Sequence, residues 1–163
     1  KTQPYLFNPK YLMYFEDTDL CWRAYIAGGE VYYLPNSVTH HEVGASANKS
    51  NIGMIDYHSF KNRIFANFTN LSSILLFFIF PVHLGACLIL LLIYLLKNRV
   101  IAYAIFKAIL WNILNISTLI TVRHKIQSKR VVSDFAFLPK LTISPTPGYL
   151  INFINAYSKR KMK

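Results

Sequence analysis

The strongest constraint on this chain is an apolar run from residue 71 to 96 that contains no formally charged side chain. At about 1.5 Å rise per residue, a helix of this length exceeds the roughly 30 Å hydrocarbon core of a bilayer. Pro81, His83 and Gly85 lie near its middle, where they can kink the helix or make it re-entrant. We therefore predict that this run is a membrane helix.

A second apolar stretch extends from residue 100 to 122 and is interrupted by Lys107 and Asn112. A lysine is tolerable in such a stretch if it reaches the interface or faces another helix. We therefore predict two hydrophobic membrane helices over residues 71–122.

Basic residues set the expected orientation. Four of them follow the second stretch directly: Arg123, Lys125, Lys129 and Arg130. By the positive-inside rule, this end and the whole basic tail 123–163 face the cytoplasm, and with two spans the N-terminal segment does so too. Lys97 and Arg99 in the short connection oppose that orientation. A hairpin that does not fully cross the membrane is therefore the open alternative.

The formal charge of +11 lies almost entirely after residue 50, whereas most of the seven acids come before it. The positive charge flanks apolar stretches and does not cover an aromatic-interleaved surface, so we expect membrane lipid and no nucleic acid as a partner. Two cysteines, Cys21 and Cys87, cannot build a disulfide framework.

Residues 1–54 have the pattern of an α/β fold. Residues 11–15 predict a buried strand, and residues 16–27 predict a helix with acids in its first turn and two glycines after its end. Residues 30–35 predict the next strand, and residues 37–41 a further extended piece. This order is typical of part of an α/β domain and is too short to close a core alone.

A basic amphipathic helix is predicted over residues 55–70. Such a helix either lies at a membrane surface or packs on the soluble domain, and the pattern leaves both placements open.

Reactive side chains gather at two places in the N-terminal segment. Glu16-Asp17-Thr18-Asp19 places carboxylates where a strand is expected to meet a helix, a position suited to a general base. The alternative is that these acids only cap the helix and complement its dipole. His40 and His41 point to opposite sides of an extended segment, and imidazole is a common metal ligand.

Three strings follow one another in this segment: Tyr14-Phe15-Glu16-Asp17-Thr18-Asp19-Leu20-Cys21-Trp22-Arg23-Ala24, then Gly28-Gly29-Glu30-Val31-Tyr32-Tyr33-Leu34-Pro35, then His41 with Gly44 and Ser46. Their order resembles family 2 inverting glycosyltransferases, and among these the rhamnosyltransferase-like members that build bacterial surface polysaccharides. Tyr57 with Lys61-Asn62-Arg63 is similar to a pattern that follows the histidine in that group. The resemblance covers roughly residues 5–65.

The resemblance implies the C-terminal part of a GT-A domain, a nucleotide-sugar donor and a divalent metal, Mg²⁺ or Mn²⁺. It implies that Asp17 is the catalytic base, that Glu16 supports the acceptor side, and that His41 lies near the metal and the diphosphate. His40 is the fallback for the metal, since a one-residue shift of the strand exchanges the two faces.

Three further residues are expected to support that site. Asp19 and Arg23, spaced i,i+4, are expected to pair on the helix surface and hold the helix in place. Trp22 either lines the acceptor pocket or packs in the core.

The first βαβ units of such an enzyme do not occur in this sequence, so the chain is expected to be a C-terminal portion that is inactive alone. The expected function is transfer of a sugar, with rhamnose a candidate, to a cell-surface polysaccharide or lipid-linked acceptor at the cell membrane. The alternative is a non-catalytic two-span membrane protein with an acidic interaction head and a basic lipid-binding tail.

Overall fold

A computed structural model describes residues 6–38 and 52–136, and every regular element within these ranges is a helix. The helices are α1 (Glu16–Ile26), α2 (Ile52–Asn70), α3 (Ser73–Lys97), α4 (Arg99–Leu114) and α5 (Ile116–Gln127). They form a bundle around α2, which packs most extensively against α4 and also contacts α1, α3 and α5.

The α/β GT-A fold predicted for the N-terminal segment is wrong for the described residues. Residues 11–15 form bends and residues 30–35 are exposed and irregular, with no strand at either place. A strand requires a neighbour for its backbone groups, and the described part of the chain provides helices instead. Tyr14 and Phe15 also have positive φ angles, which are incompatible with a strand. The extended piece predicted at residues 37–41 lies partly outside the described residues. His40 and His41 both lie outside them.

The predicted helix after the acidic turn is confirmed as α1. Its C-terminus forms a Schellman motif, in which Gly28 N donates to Tyr25 O at 3.0 Å and Gly29 N donates to Ala24 O at 2.9 Å. Gly28 has a φ of +78°, and a Cβ there would lie 2.9 Å from Val131 Cγ2. Glycine at this position therefore both ends the helix and admits the chain that follows α5.

The predicted basic helix over residues 55–70 is also present, as α2. Its Ile64, Phe65 and Ala66 are buried in the centre of the bundle, and its placement at a membrane surface or on a soluble domain stays a prediction. Phe65 contacts Trp111 of α4 with ring centroids 6.2 Å apart, and Tyr11 edge-on at 5.7 Å.

The apolar run forms the helix α3, which is long and apolar enough to cross a membrane. Its most apolar window has a mean hydropathy of 2.7, and only 6% of that window is buried against the rest of the molecule. The helix ends at Lys97, where Asn98 caps the start of α4 by accepting hydrogen bonds from Val100 N at 3.0 Å and Ile101 N at 3.3 Å.

The second predicted span is not one straight helix. Taken together, α4 and α5 are also long and apolar enough to cross a membrane. They bend by 70° relative to each other, as in a broken span or a re-entrant loop. The break lies at Asn115, whose side chain donates to Trp111 O at 2.9 Å. Such side-chain bonds compete with the helical backbone pattern. The hairpin alternative from the sequence is therefore compatible with this geometry.

Candidate functional site

The residues before α1 form a strained turn that α2 holds in place. Tyr14 and Phe15 have φ angles of 63° and 73°, a left-handed conformation that side chains with a Cβ rarely adopt. Asn62, which is fully buried, donates from Nδ2 to Met13 O at 2.8 Å and to Tyr14 O at 2.7 Å. Strain of this kind persists only where surrounding contacts impose it.

The neighbours of Asn62 hold the same segment. Lys61 Nζ donates to Lys10 O at 2.7 Å, and the Arg63 guanidinium lies 5.7 Å from the centroid of the Phe15 ring. The Lys61-Asn62-Arg63 pattern therefore has a structural explanation, since all three side chains contact the segment that leads into α1.

The first two acids of the motif begin α1 and differ in their surroundings. Asp17 is exposed, and its Oδ1 accepts hydrogen bonds from Thr18 N at 2.7 Å and, more weakly, from Thr18 Oγ1 at 3.4 Å. Glu16 is half-buried, and its buried Oε2 has no hydrogen-bond partner within residues 6–38 and 52–136. The Asp17 carboxylate is thus accessible at the positive end of a helix.

The third acid, Asp19, belongs to a buried network. It accepts from Arg23 Nε at 2.8 Å and from Asn70 Nδ2 at 2.9 Å, while Arg23 Nη2 donates to Leu6 O at 2.7 Å. The predicted i,i+4 pair is formed, but it is buried and not on the helix surface, since both side chains are 1% exposed. Asp19 and Arg23 therefore join α1 to the end of α2.

Trp22 is half-buried and packs in a small core with Ile26 and Ile126, which favours its packing role over a place in an acceptor pocket. Its buried Nε1 has no hydrogen-bond partner in the described part of the chain. His41 and its fallback His40 cannot be placed, because they lie outside the described residues. In the described ranges, no group of three or more His, Cys, Asp or Glu side chains is arranged to hold a metal ion.

Sequence reasoning missed the network that joins the end of α2 to α5. The last carbonyl groups of a helix lack intrahelical partners. Arg123 donates to Phe68 O at 2.8 Å and to Leu71 O at 2.6 Å, and Gln127 donates to Thr69 O at 2.8 Å.

Arg130 and Asp134 complete this network. Arg130 donates to Asn70 O, and also to Asp134 at 2.7 Å; Asp134 in turn accepts from Ser72 N at 2.6 Å. Arg123 and Arg130, two members of the basic cluster from which the sequence predicts the orientation, therefore bind the protein's own backbone. The only sequence signal for this was the polar residues that end α2.

A second polar cluster lies between α2 and α4. The Tyr57 ring has Lys61 Nζ 5.7 Å from its centroid and Lys107 Nζ 5.2 Å from it. Lys61 Nζ also lies 4.8 Å from the Trp111 ring. Burial and the nearby charge of Lys10 lower the pKa of Lys61 to about 8. Burial, followed by the charges of Lys61 and Lys107, lowers the pKa of His58 below its usual range.

Comparison of the chain with protein-family models, with curated proteins and with solved structures gives no match.

Proposed function

We propose that this chain supplies the acceptor-activating segment of a membrane-bound glycosyltransferase, with Asp17 as the general base. The observation that carries the proposal is the contrast within Glu16-Asp17-Thr18-Asp19. Asp19 is buried and paired, whereas Asp17 is exposed and bonded only to the adjacent Thr18 among the described residues. The motif string and its resemblance to family 2 inverting glycosyltransferases supply the choice of reaction.

The reaction is an in-line displacement at the anomeric carbon of a nucleotide-sugar. The acceptor hydroxyl oxygen forms the new bond while the bond to the nucleoside diphosphate breaks and its electron pair leaves with the diphosphate. Asp17 takes the proton of the attacking hydroxyl. The N-terminus of α1 places the positive end of the helix dipole beside this carboxylate. A divalent metal, when bound, offsets the charge of the leaving diphosphate.

The position of the base is determined by contacts on both sides of it. Asn62 holds the turn before Asp17, and the Asp19–Arg23 pair with Asn70 holds the first turn after it. A general base must reach one particular proton within hydrogen-bond distance, so a fixed backbone at this position supports the assignment. Glu16 supports the acceptor side, where its buried, unpartnered Oε2 can accept a hydrogen bond.

The membrane part of the proposal rests on α3. A helix with so little buried surface and a mean hydropathy of 2.7 can anchor the site next to a lipid-linked acceptor or a growing surface polysaccharide. The proposed arrangement places α1 and the C-terminus on the cytoplasmic side, where nucleotide-sugars are available.

Asp17→Asn tests the assignment of the base, because it removes the proton acceptor and keeps the shape. In membranes from cells that express the full gene product, we expect transfer from a panel of radiolabelled nucleotide-sugars to fall about a hundredfold to ten-thousandfold. Glu30→Gln is the matched control, since Glu30 is an exposed carboxylate beyond the other end of α1, and it should leave transfer unchanged.

Undiminished transfer by the Asp17→Asn protein would remove Asp17 as the base. If the unmodified protein transfers no sugar from any donor in the panel, the alternative of a non-catalytic membrane protein with an acidic interaction head gains support. Equal amounts of each variant in the membrane fraction, measured by immunoblotting, ensure that lost transfer is not lost protein.

A further inference from the structure

The cluster between α2 and α4 contains two lysine side chains and two buried polar atoms that have no hydrogen-bond partner in the described residues. Lys61 and Lys107 both approach the Tyr57 ring, and His58 lies edge-on to the same ring at 4.9 Å. Burial is the largest cause of the lowered pKa of His58, and the positive charges of Lys61 and Lys107 lower it further.

Two buried polar atoms here have no partner in the described residues. His58 is 9% exposed and its Nδ1 is unbonded; Asn112 is 4% exposed and its Oδ1 is unbonded, although its Nδ2 donates to Lys61 O at 3.2 Å. Buried polar atoms without a partner are uncommon in folded proteins, and each requires an explanation. A phosphate that enters beside the lysines can accept a hydrogen bond from His58 Nδ1 when that atom bears the proton, whereas Asn112 Oδ1 is an acceptor and requires a donor.

The surroundings of Lys107 indicate where such a ligand comes from. Lys107 is exposed on α4, and the residues one turn or less away on the same surface, Tyr103, Phe106 and Leu110, are exposed and apolar. Only the Tyr57 ring contacts its ammonium group among residues 6–38 and 52–136. A single cation within an apolar surface is the arrangement that matches a lipid, whose charged headgroup adjoins its acyl chains.

We propose that Lys107, with Tyr57, His58 and Lys61 behind it, forms a binding site for the phosphate group of a membrane lipid. Lys107 donates to a phosphate oxygen and the exposed apolar side chains of α4 contact the acyl chains. Lys61 is buried and donates to Lys10 O, so it acts through its charge and not through direct contact. This site is separate from Asp17 and does not depend on the proposed transferase activity.

The test uses the fluorescence of Trp111 as a reporter, because the centroid of its ring lies 4.8 Å from Lys61 Nζ. The sequence contains two tryptophans, so Trp22→Phe leaves Trp111 as the single tryptophan, which is excited selectively at wavelengths that tyrosine does not absorb. The Trp22→Phe protein is titrated in neutral detergent micelles with phosphatidic acid or phosphatidylcholine that carries brominated acyl chains, which quench nearby tryptophan. We expect half-maximal quenching at a mole fraction of phosphatidic acid at least about tenfold lower than that of phosphatidylcholine, as for the loss of one charge-assisted hydrogen bond.

Lys107→Gln should raise the mole fraction of phosphatidic acid required for half-quenching by about tenfold. Lys97→Gln is the matched control, since Lys97 is also exposed beside apolar surface at the end of α3, and it should change that value by less than about twofold. Circular dichroism spectra of the variants ensure that the fold is kept.

Three results would overturn the proposal. Unchanged quenching in the Lys107→Gln protein would show that the lysine does not bind the headgroup. An equal loss in Lys97→Gln would show only general attraction of anionic lipid to basic residues. Relief of phosphatidic acid quenching by millimolar inorganic phosphate would show a site for free phosphate and not for a lipid.

Discussion

The α1–α2 junction and the surface of α3 distribute polar and apolar side chains in opposite ways. At the junction, Asp19, Arg23 and Asn62 are buried. Asp19 binds Arg23, and Asn62 donates to the carbonyl oxygen of Met13. On α3, Phe77 is 73% exposed and Leu96 is 92% exposed. A water-soluble domain seldom exposes so large an apolar surface. The comparison shows that directional polar bonds join the helices at the junction, whereas the described residues cover little of the apolar surface of α3.

The largest stability effect is expected from breaking the buried pair. Asp19→Ala leaves Arg23 charged and buried, which should lower the free energy of unfolding by about 3–5 kcal/mol. Asp17→Ala, two positions earlier and exposed, should change it by less than about 0.5 kcal/mol. Denaturant unfolding in mild detergent measures both, and similar losses would mean that the two acids have the same structural role.

On α3 the expectation is the opposite of that for the junction: a charge introduced at an exposed position should disfavour membrane insertion. Val82 is 72% exposed near the middle of the helix, and Val82→Arg should make membrane insertion less favourable by about 2.5–3.5 kcal/mol. Leu34→Arg introduces the same charge at an exposed position outside α3 and serves as the control. The fraction of protein that remains in membranes after alkaline extraction reports the difference, and equal extraction of the two variants would contradict a lipid-facing α3.

A smaller loss is expected from Asn62→Ala, which removes two hydrogen bonds from the strained turn. The free energy of unfolding should fall by about 1–3 kcal/mol, and adding Tyr14→Gly should restore part of it, because glycine adopts a positive φ without strain. Asn67→Ala on the same helix should have little effect. If glycine at position 14 gives no recovery, the strain at this turn is not what Asn62 maintains.

The last prediction concerns the pH dependence of stability. Because the pKa of Lys61 is lowered to about 8 while the unfolded value stays at 10.5, the unfolded chain binds more protons between these values. The free energy of unfolding should therefore gain a contribution that rises with pH from about 8 to 10.5 and is absent below that window. Lys61→Met should lack this contribution, so the two pH profiles of unfolding should diverge; parallel profiles would contradict it.

Local patterns predicted the helices well. α1 has acids in its first turn and glycines after its end, and these signals act within a few residues of one another. The apolar run that became α3 is likewise a local property, since its length and lack of charge do not depend on other segments. The end of α3 at Lys97 also follows from the cap that Asn98 provides.

The strand predictions failed for the opposite reason. Residues 11–15 and 30–35 have apolar and aromatic composition suited to a strand, but a strand exists only when another pairs with it. In the first of these segments, Asn62, about fifty residues away, binds the carbonyls of Met13 and Tyr14. The bend at Asn115 was missed because an apolar, helix-forming stretch continues on both sides of it.

In the candidate site, too, the local sequence predicted one feature and distant residues decided another. Glu16-Asp17-Thr18-Asp19 identified the carboxylates, yet their types and spacing did not distinguish the exposed Asp17 from the buried Asp19. That distinction arose from Asn70 and Arg23, which reach Asp19 from the end of α2 and from within α1.

The positions of the helices and the length and apolar character of α3 follow from residues close in the chain, so the amino-acid order was enough to derive them. The irregular segment before α1 and the different surroundings of the two aspartates depend on which distant groups meet. Only the packing of α2 against α1, α4 and α5 decides that, because a hydrogen bond between groups fifty residues apart leaves no periodic trace in the sequence.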